Sequence, residues 1–195
     1  MSTIVDDAEA RLAARLRAER EQRGWTLADL AARSGVSKAM VSRIERAEAS
    51  PTAALLGRLS AAFGLTMSQL FARVEGEGGG GLVSRAAEQP LWRDPATGFV
   101  RRSLSPPGAA PLELVWGEMP AGAEVAYPAE SYRFIADQQV LVIEGRLTIV
   151  QGETVTELGP GDCLRYGPPQ NAAIANRSDS MCRYVVAVLR GGGQA

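Results

Sequence analysis

The chain of 195 residues contains no histidine. A mononuclear metal centre held by two or three imidazoles and a carboxylate is therefore excluded, and the Asp and Glu residues supply no three convergent ligands in their place. Cysteine is scarce as well: Cys163 and Cys182 are the only two. That excludes a disulfide-stapled secreted scaffold and suits reduced, buried thiols. Both fall in predicted strands, which leaves open whether they are neighbours that form a redox-sensitive pair. No run of about 18 apolar residues occurs. The start of the sequence (Ser2, Thr3, Asp6, Asp7) is polar and acidic, unlike a signal peptide. The expectation is a cytoplasmic protein with no membrane partner. Neither sign of charge dominates, since the formal net charge is -1, so the protein is not expected to coat DNA indiscriminately.

The charge that is present is unevenly placed. Arg11 to Arg73 carries 11 basic and 5 acidic residues, a net +6, whereas Gly76 to Ala195 carries 10 and 13, a net -3. The positive part is also the helical part. Leu12 and Leu16 mark the apolar side of an arginine-rich helix from about Ala8 to Arg23 that stops at Gly24, and Trp25 is a core anchor before the Thr26 N-cap. Leu27, Leu30 and Ala31 repeat at helical spacing until Ser34-Gly35-Val36 breaks the pattern, and Ser37 caps a new helix. Gly35 suits a left-handed residue between the two. In the next helix Met40, Val41 and Ile44 share one face, which leaves Lys38, Ala39, Ser42, Arg43 and Arg46 on the other. Such a basic, short-chained face fits a major groove. Pro51-Thr52 opens a fourth helix through Phe63, ended by Gly64, and Thr66 caps a fifth reaching about Phe71. The sum is a five-helix domain of about 65 residues, enough to fold alone.

Leu30-Ala31, Gly35-Val36-Ser37, Ser42-Arg43-Ile44-Glu45, Pro51 and Leu70-Phe71 stand in the order of the XRE family of phage-repressor-like DNA-binding domains. The segment from Arg11 to Phe71, about a third of the chain, resembles that family. The resemblance implies that Lys38, Ala39 and Arg43 meet base edges. It also implies that helix N-termini and the following loop hold phosphates, with Thr26, Ser37 and, on the exposed face of the third helix, Ser42 as further DNA-binding candidates, and that Arg20 and Glu45 form a structural ion pair. The family often has Gln at the first position of helix two, where this chain has Leu27. Arg33, Arg46 and Arg58 stand open between phosphate contact and solubility.

From Glu75 the run EGEGGGG reads as a flexible joint. The expected division is 1–74 helix-turn-helix domain, 75–81 linker and 82–195 second domain. Beyond Leu82, short apolar runs separated by Pro and Gly predict strands at 98–100, 112–116, 139–143, 147–150, 163–166 and 183–189, an antiparallel sandwich or barrel. Val142-Ile143-Glu144-Gly145-Arg146-Leu147, Leu158-Gly159-Pro160-Gly161-Asp162 and Asn176 resemble the cupin family of small barrels (double-stranded β-helices) over about Leu112 to Leu189. In that family a metal is usual. Here its ligand positions fall on Gln138, on Ala172, and on Ser131 and Arg133 or their neighbours Tyr132 and Phe134. The expectation is no metal, no cofactor and no catalysis, with an organic ligand bound by hydrogen bonds and stacking. Candidates at the mouth are Tyr132, Arg133, Gln138, Arg165 and Tyr166. On an earlier strand alternation turns one of Arg101-Arg102 outward, and Arg102 is the candidate. An arginine in such a place suits a carboxylate.

These readings combine into a transcriptional regulator that binds a palindromic double-stranded operator as a homodimer and carries a sensing or dimerising barrel. Two rivals remain. One is an accessory or antitoxin-like factor whose barrel binds a protein, favoured by a barrel with no cavity. The other is a cupin enzyme fused to a helix-turn-helix, which the missing histidines oppose.

Overall fold

The structure, a computed structural model, describes residues 3–72, 81–106 and 110–191, with only the backbone for 3–8 and 72. Residues 75–80 of the expected linker lie outside the described residues. Five α-helices come first: α1 Thr3–Gln22, α2 Leu27–Ser34, α3 Lys38–Glu45, α4 Ala53–Phe63 and α5 Met67–Ala72. The first begins earlier than the apolar spacing alone predicts.

Local chemistry sets the other boundaries. Thr26 and Asp29 form a reciprocal capping box at the start of α2, and Gly35 ends the helix at φ 65°, a conformation costly for a residue with a Cβ. Ser37 accepts from the Met40 amide to start α3, and Thr52 accepts from the Leu55 amide to start α4. A second box, Thr66 with Gln69, opens α5. Leu12, Leu16, Leu30, Val41, Ile44 and Leu56 meet in the centre, so the bundle is held mainly by apolar burial.

Ten strands follow among the described residues: β1 Leu91–Arg93, β2 Val100–Ser103, β3 Leu112–Met119, β4 Glu124–Tyr127, β5 Ile135–Glu144, β6 Leu147–Gln151, β7 Thr154–Leu158, β8 Cys163–Arg165, β9 Ala172–Ala175 and β10 Cys182–Arg190. They form an antiparallel six-stranded sheet, β1-β2-β3-β10-β5-β8, and a four-stranded sheet, β4-β9-β6-β7. The apolar runs locate β3, β5, β6, β8 and β10, while the run at 98–100 touches β2 only at Val100. The sequence reading passes over β1, β4, β7 and β9: β1, β4 and β9 have only three or four residues and β9 is mostly alanine, whereas β7 is passed over despite its β-branched Thr154, Val155 and Thr156. Along β10 the residues alternate between buried and half-buried from Cys182 to Val188, the period of a sheet with one face in a core. Asn176 is wholly buried and ties a turn together, donating to the Met119 and Ser180 carbonyls and accepting from the Ser178 amide.

One expectation for the cysteines changes. Cys182 is buried, but Cys163 is exposed on the rim strand β8, and both thiols are free.

The two halves are in contact. Helix α4 packs on β4 and on the 3-10 turn Ala129–Tyr132, and Phe71 of α5 lies 5.9 Å from Trp92. Gly57 makes the approach possible, because a Cβ there would meet the Tyr127 ring at 2.8 Å. Helices α4 and α5 thus form a roof over the mouth of the barrel.

Candidate DNA-reading face and interdomain cavity

On α3, Val41 and Ile44 are buried, while Lys38, Ala39 and Arg43 are exposed. Among the described residues neither Lys38 nor Arg43 has a side-chain hydrogen bond or ion pair, so both cations are presented to solvent. Arg46 differs: its guanidinium takes both Glu48 carboxylate oxygens at 2.7 Å and also bonds the Ser42 hydroxyl. The Ser42 oxygen is thereby occupied. The hydroxyls of Thr26 and Ser37 are occupied as caps; what each helix start offers an anion is its backbone N–H groups. Arg33 lies over the Trp25 ring at 4.4 Å, and Trp25 stacks on Phe63.

Arg20 meets Glu45 in a two-pronged pair, Nε to Oε1 and Nη2 to Oε2, both 2.8 Å, and its remaining nitrogen donates to the Trp25 carbonyl. The side chains are only 12% and 6% exposed. The Glu45 hydrogen bond, more than the charge itself, raises the Arg20 pKa above its ordinary value. The pair fastens α1 to the end of α3 and so fixes the angle at which α3 is presented.

The barrel interior opens beneath α4 and α5 as a cavity of about 110 Å³. Its walls include Leu65, Val115, Ile174, Val186 and Val188. Arg101 lies against them. It is 6% exposed, and its guanidinium donates to Ser103 at 3.1 Å and to the Ser68 hydroxyl of α5. No carboxylate among the described residues lies within ion-pair distance of it. Glu113, the acid whose charge acts on Arg101, is paired instead with Arg190 at 3.1 Å and accepts from Thr66 of the helical half at 3.3 Å. Burial pushes the Arg101 guanidinium down to about 10, with Glu113 opposing, which leaves it charged at neutral pH. The hydroxyls of Ser60, Ser131 and Tyr184 line the same cavity, and each is buried with no hydrogen-bond partner among the described residues.

This placement corrects the choice of arginine. Arg101 pairs with Gly117, which pairs in turn with Tyr184, so the three share one inward row. Arg102 faces outward over the Trp116 ring at 5.5 Å and does not reach the cavity. Phe99 and Val100 are consecutive apolar residues, both buried, so alternation there carries no clear strand phase. Arg133 is also absent from the cavity lining: it is exposed, 3.9 Å from Glu130. Arg165 is 71% exposed and binds Asp137 at 2.9 Å, in a second groove of about 360 Å³ with Tyr166, Pro168 and Pro169. Tyr166 stacks at 6.0 Å on Tyr132 and lines that groove. Tyr132 and Gln138 border both spaces. Burial holds the hydroxyls of Tyr132, Tyr166 and Tyr184 well above the usual phenol range, so all three are neutral donors.

Two contributors to the cavity leave some trace in the sequence. Ser60 is a polar residue on the apolar side of α4, and Gly117 interrupts an otherwise ideal strand, the usual mark of a close approach. A Cβ on Gly117 would strike the Tyr184 ring at 2.4 Å.

The residues do not fit the metal usual in cupins. Gln138 and Ala172 offer an amide and a methyl, and among the described residues no three His, Cys, Asp or Glu side chains cluster to hold an ion.

A capped helical bundle with an exposed basic third helix, seated on an antiparallel barrel, defines a helix-turn-helix protein with a cupin-like second domain. Comparison with known proteins agrees. Residues 16–70 match the helix-turn-helix family HTH_3. Over 57 residues, 29% of this chain, the sequence is 46% identical to the HTH-type transcriptional regulator SutR of Escherichia coli (strain K12), and the match spans 32% of that protein's length. Over 95% of this chain and 99% of the other, the fold is similar to the crystal structure of an HTH_3 family transcriptional regulator from Vibrio cholerae, at 25% identity and a TM-score of 0.76. The cupin_2 domain of an XRE family transcriptional regulator from Enterobacter cloacae superimposes on 48% of this chain and 98% of its own, at 17% identity and a TM-score of 0.44. No helix among the described residues is long and apolar enough to cross a membrane.

Proposed function

We propose that this protein is a sequence-specific DNA-binding transcriptional regulator whose barrel binds a small organic ligand and pairs two copies on a palindromic operator. The observation that carries the reading is the exposed face of α3, where Lys38 and Ala39 open the capped helix, Arg43 follows in its last turn, and neither cation has a side-chain hydrogen bond or ion pair among the described residues. In such a geometry side chains at the helix start address base edges, and neighbouring helix N-termini address phosphates. Pairing is favoured by the outer face of the six-stranded sheet, where Leu112, Leu114, Leu141, Ile143 and Leu189 are 37–51% exposed. An apolar patch of this kind marks an interaction surface. One recognition helix reads only a few base pairs, so two-fold pairing doubles the contact.

The test is selection of bound sequences from a random duplex pool, followed by titration at physiological salt. The reading expects an inverted-repeat motif, and it expects Arg43→Ala to lose roughly 1–3 kcal/mol of preference for that motif. A pool that never converges on a sequence would sink it.

A further inference from the structure

The cavity beneath α4 and α5 has a pronounced chemical bias. Among the described residues it is lined by one buried cation, several neutral hydroxyls and apolar walls, and by no Asp or Glu. Of the guanidinium N–H groups on Arg101, two are used on the serine hydroxyls of Ser103 and Ser68. The guanidinium carbon lies over the Phe71 ring at 5.2 Å, Arg101 is among the residues that line the cavity, and no carboxylate among the described residues pairs with it. A buried charge without a counter-ion is costly, and the cost is relieved by an anion that brings two acceptor oxygens. A cationic guest would meet the opposite situation, with Arg101 repelling it and nothing acidic to receive it.

We infer that the cavity binds a small monocarboxylate, its carboxylate on Arg101 and its apolar or hydroxylated body among Tyr184, Ser60 and the aliphatic wall. Size agrees. At roughly 10–15 Å³ per water centre, about 110 Å³ holds a guest on the order of ten non-hydrogen atoms. The single cation suits a single negative charge, which distinguishes such an acid from a phosphate dianion. Because Ser68 and Ser60 belong to the helices and Arg101 and Tyr184 to the barrel, the guest bridges the DNA-reading half and the sensing half. Its binding energy then depends on how the two halves sit together, which is the differential affinity that a ligand-controlled switch requires. The inference takes from the proposed function only that the barrel holds a guest.

Calorimetric titration and melting of the full-length protein, without DNA, test it. The probes are isovalerate and 2-hydroxyisovalerate against isovaleramide, isoamylamine and inorganic phosphate. The two acids are expected to bind and raise Tm, with the amide roughly tenfold weaker or worse and no binding of the amine or phosphate. Arg101→Met should abolish acid binding, and Arg101→Lys should retain the preference for acid over amide at reduced affinity, which keeps the test valid if the methionine variant folds poorly. Isovalerate should slow amide exchange in α5 as well as in the barrel. Equal binding of acid and amide, tighter binding of the amine or phosphate, or no binding of either acid at millimolar concentration would overturn the site. Protection confined to the barrel would overturn the bridging. Since no operator is present, failure here leaves DNA reading untouched, and a failed DNA selection leaves this result standing.

Discussion

Gly57 of α4 lies directly against the ring of Tyr127 on β4, so closely that a Cβ on the glycine would sit 2.8 Å from Cδ1 and 3.2 Å from Cε1. The absent side chain lets the reading half descend onto the barrel. In a helix interior alanine is favoured over glycine by about 1 kcal/mol, so Gly57→Ala sets local propensity against tertiary fit. The fit is expected to win, with Tm falling and amide exchange in α5 accelerating. Adding Tyr127→Leu should restore most of the loss by removing the ring that the methyl strikes. A Gly57→Ala protein that melts above wild type would refute the close contact.

The Arg20–Glu45 pair predicts an asymmetry. Glu45→Ala leaves a mostly buried guanidinium without its acceptor and should cost roughly 2–4 kcal/mol, somewhat below the range for fully buried pairs. Replacing both residues with methionine should cost less than the single change, because no orphaned charge remains. Chemical denaturation of the three proteins measures this, and an additive double variant would remove the coupling.

Asp29 links the start of α2 to pH. The Thr26 backbone N–H, and secondarily its hydroxyl, holds the Asp29 carboxyl below its ordinary 3.8. A group whose pKa is lowered by folding stabilises the fold above its unfolded value, and the contribution is lost as pH falls through the folded value. Wild type should therefore be more stable than Asp29→Asn at neutral pH, and the two should converge below the ordinary Asp range. Melting curves from pH 7 to about pH 2.5 follow the gap, which must close only on the acid side.

For the outer face of the six-stranded sheet, Leu141→Lys with Ile143→Glu should shift the protein from dimer to monomer in light scattering without lowering Tm, since both side chains are 37–45% exposed already. A wild-type monomer at the same concentration would dispose of this interface. The variant should also bind a full inverted repeat no better than a half-site.

Residue by residue, the helical half was nearly legible. Thr26, Gly35, Ser37, Thr52, Gly64 and Thr66 mark helix ends because caps and left-handed turns are satisfied within a few residues of chain. The apolar period then says which face of α3 is buried and which presents Lys38 and Arg43. In the barrel, turn chemistry and apolar runs located five of the ten strands among the described residues and touched β2 only at Val100. They did not locate Thr154–Leu158 or Ala172–Ala175, which hold their place through pairing with β6.

Strand phase is where local signals ended. Arg101 and Arg102 are chemically identical neighbours, and a shift of one residue exchanges the inward and outward side chains. Their pairing with Gly117 and Trp116 makes the choice, and those partners lie some fifteen residues on. The absence of histidine, the basic helical half and the capped helix-turn-helix are properties of the sequence itself, since composition and short-range hydrogen bonding do not depend on what packs against them. The cavity belongs to the tertiary structure alone. Ser60, Ser68, Arg101 and Tyr184 become one site only when Gly57 lets α4 settle on β4, because burial and charge compensation are set by neighbours in space.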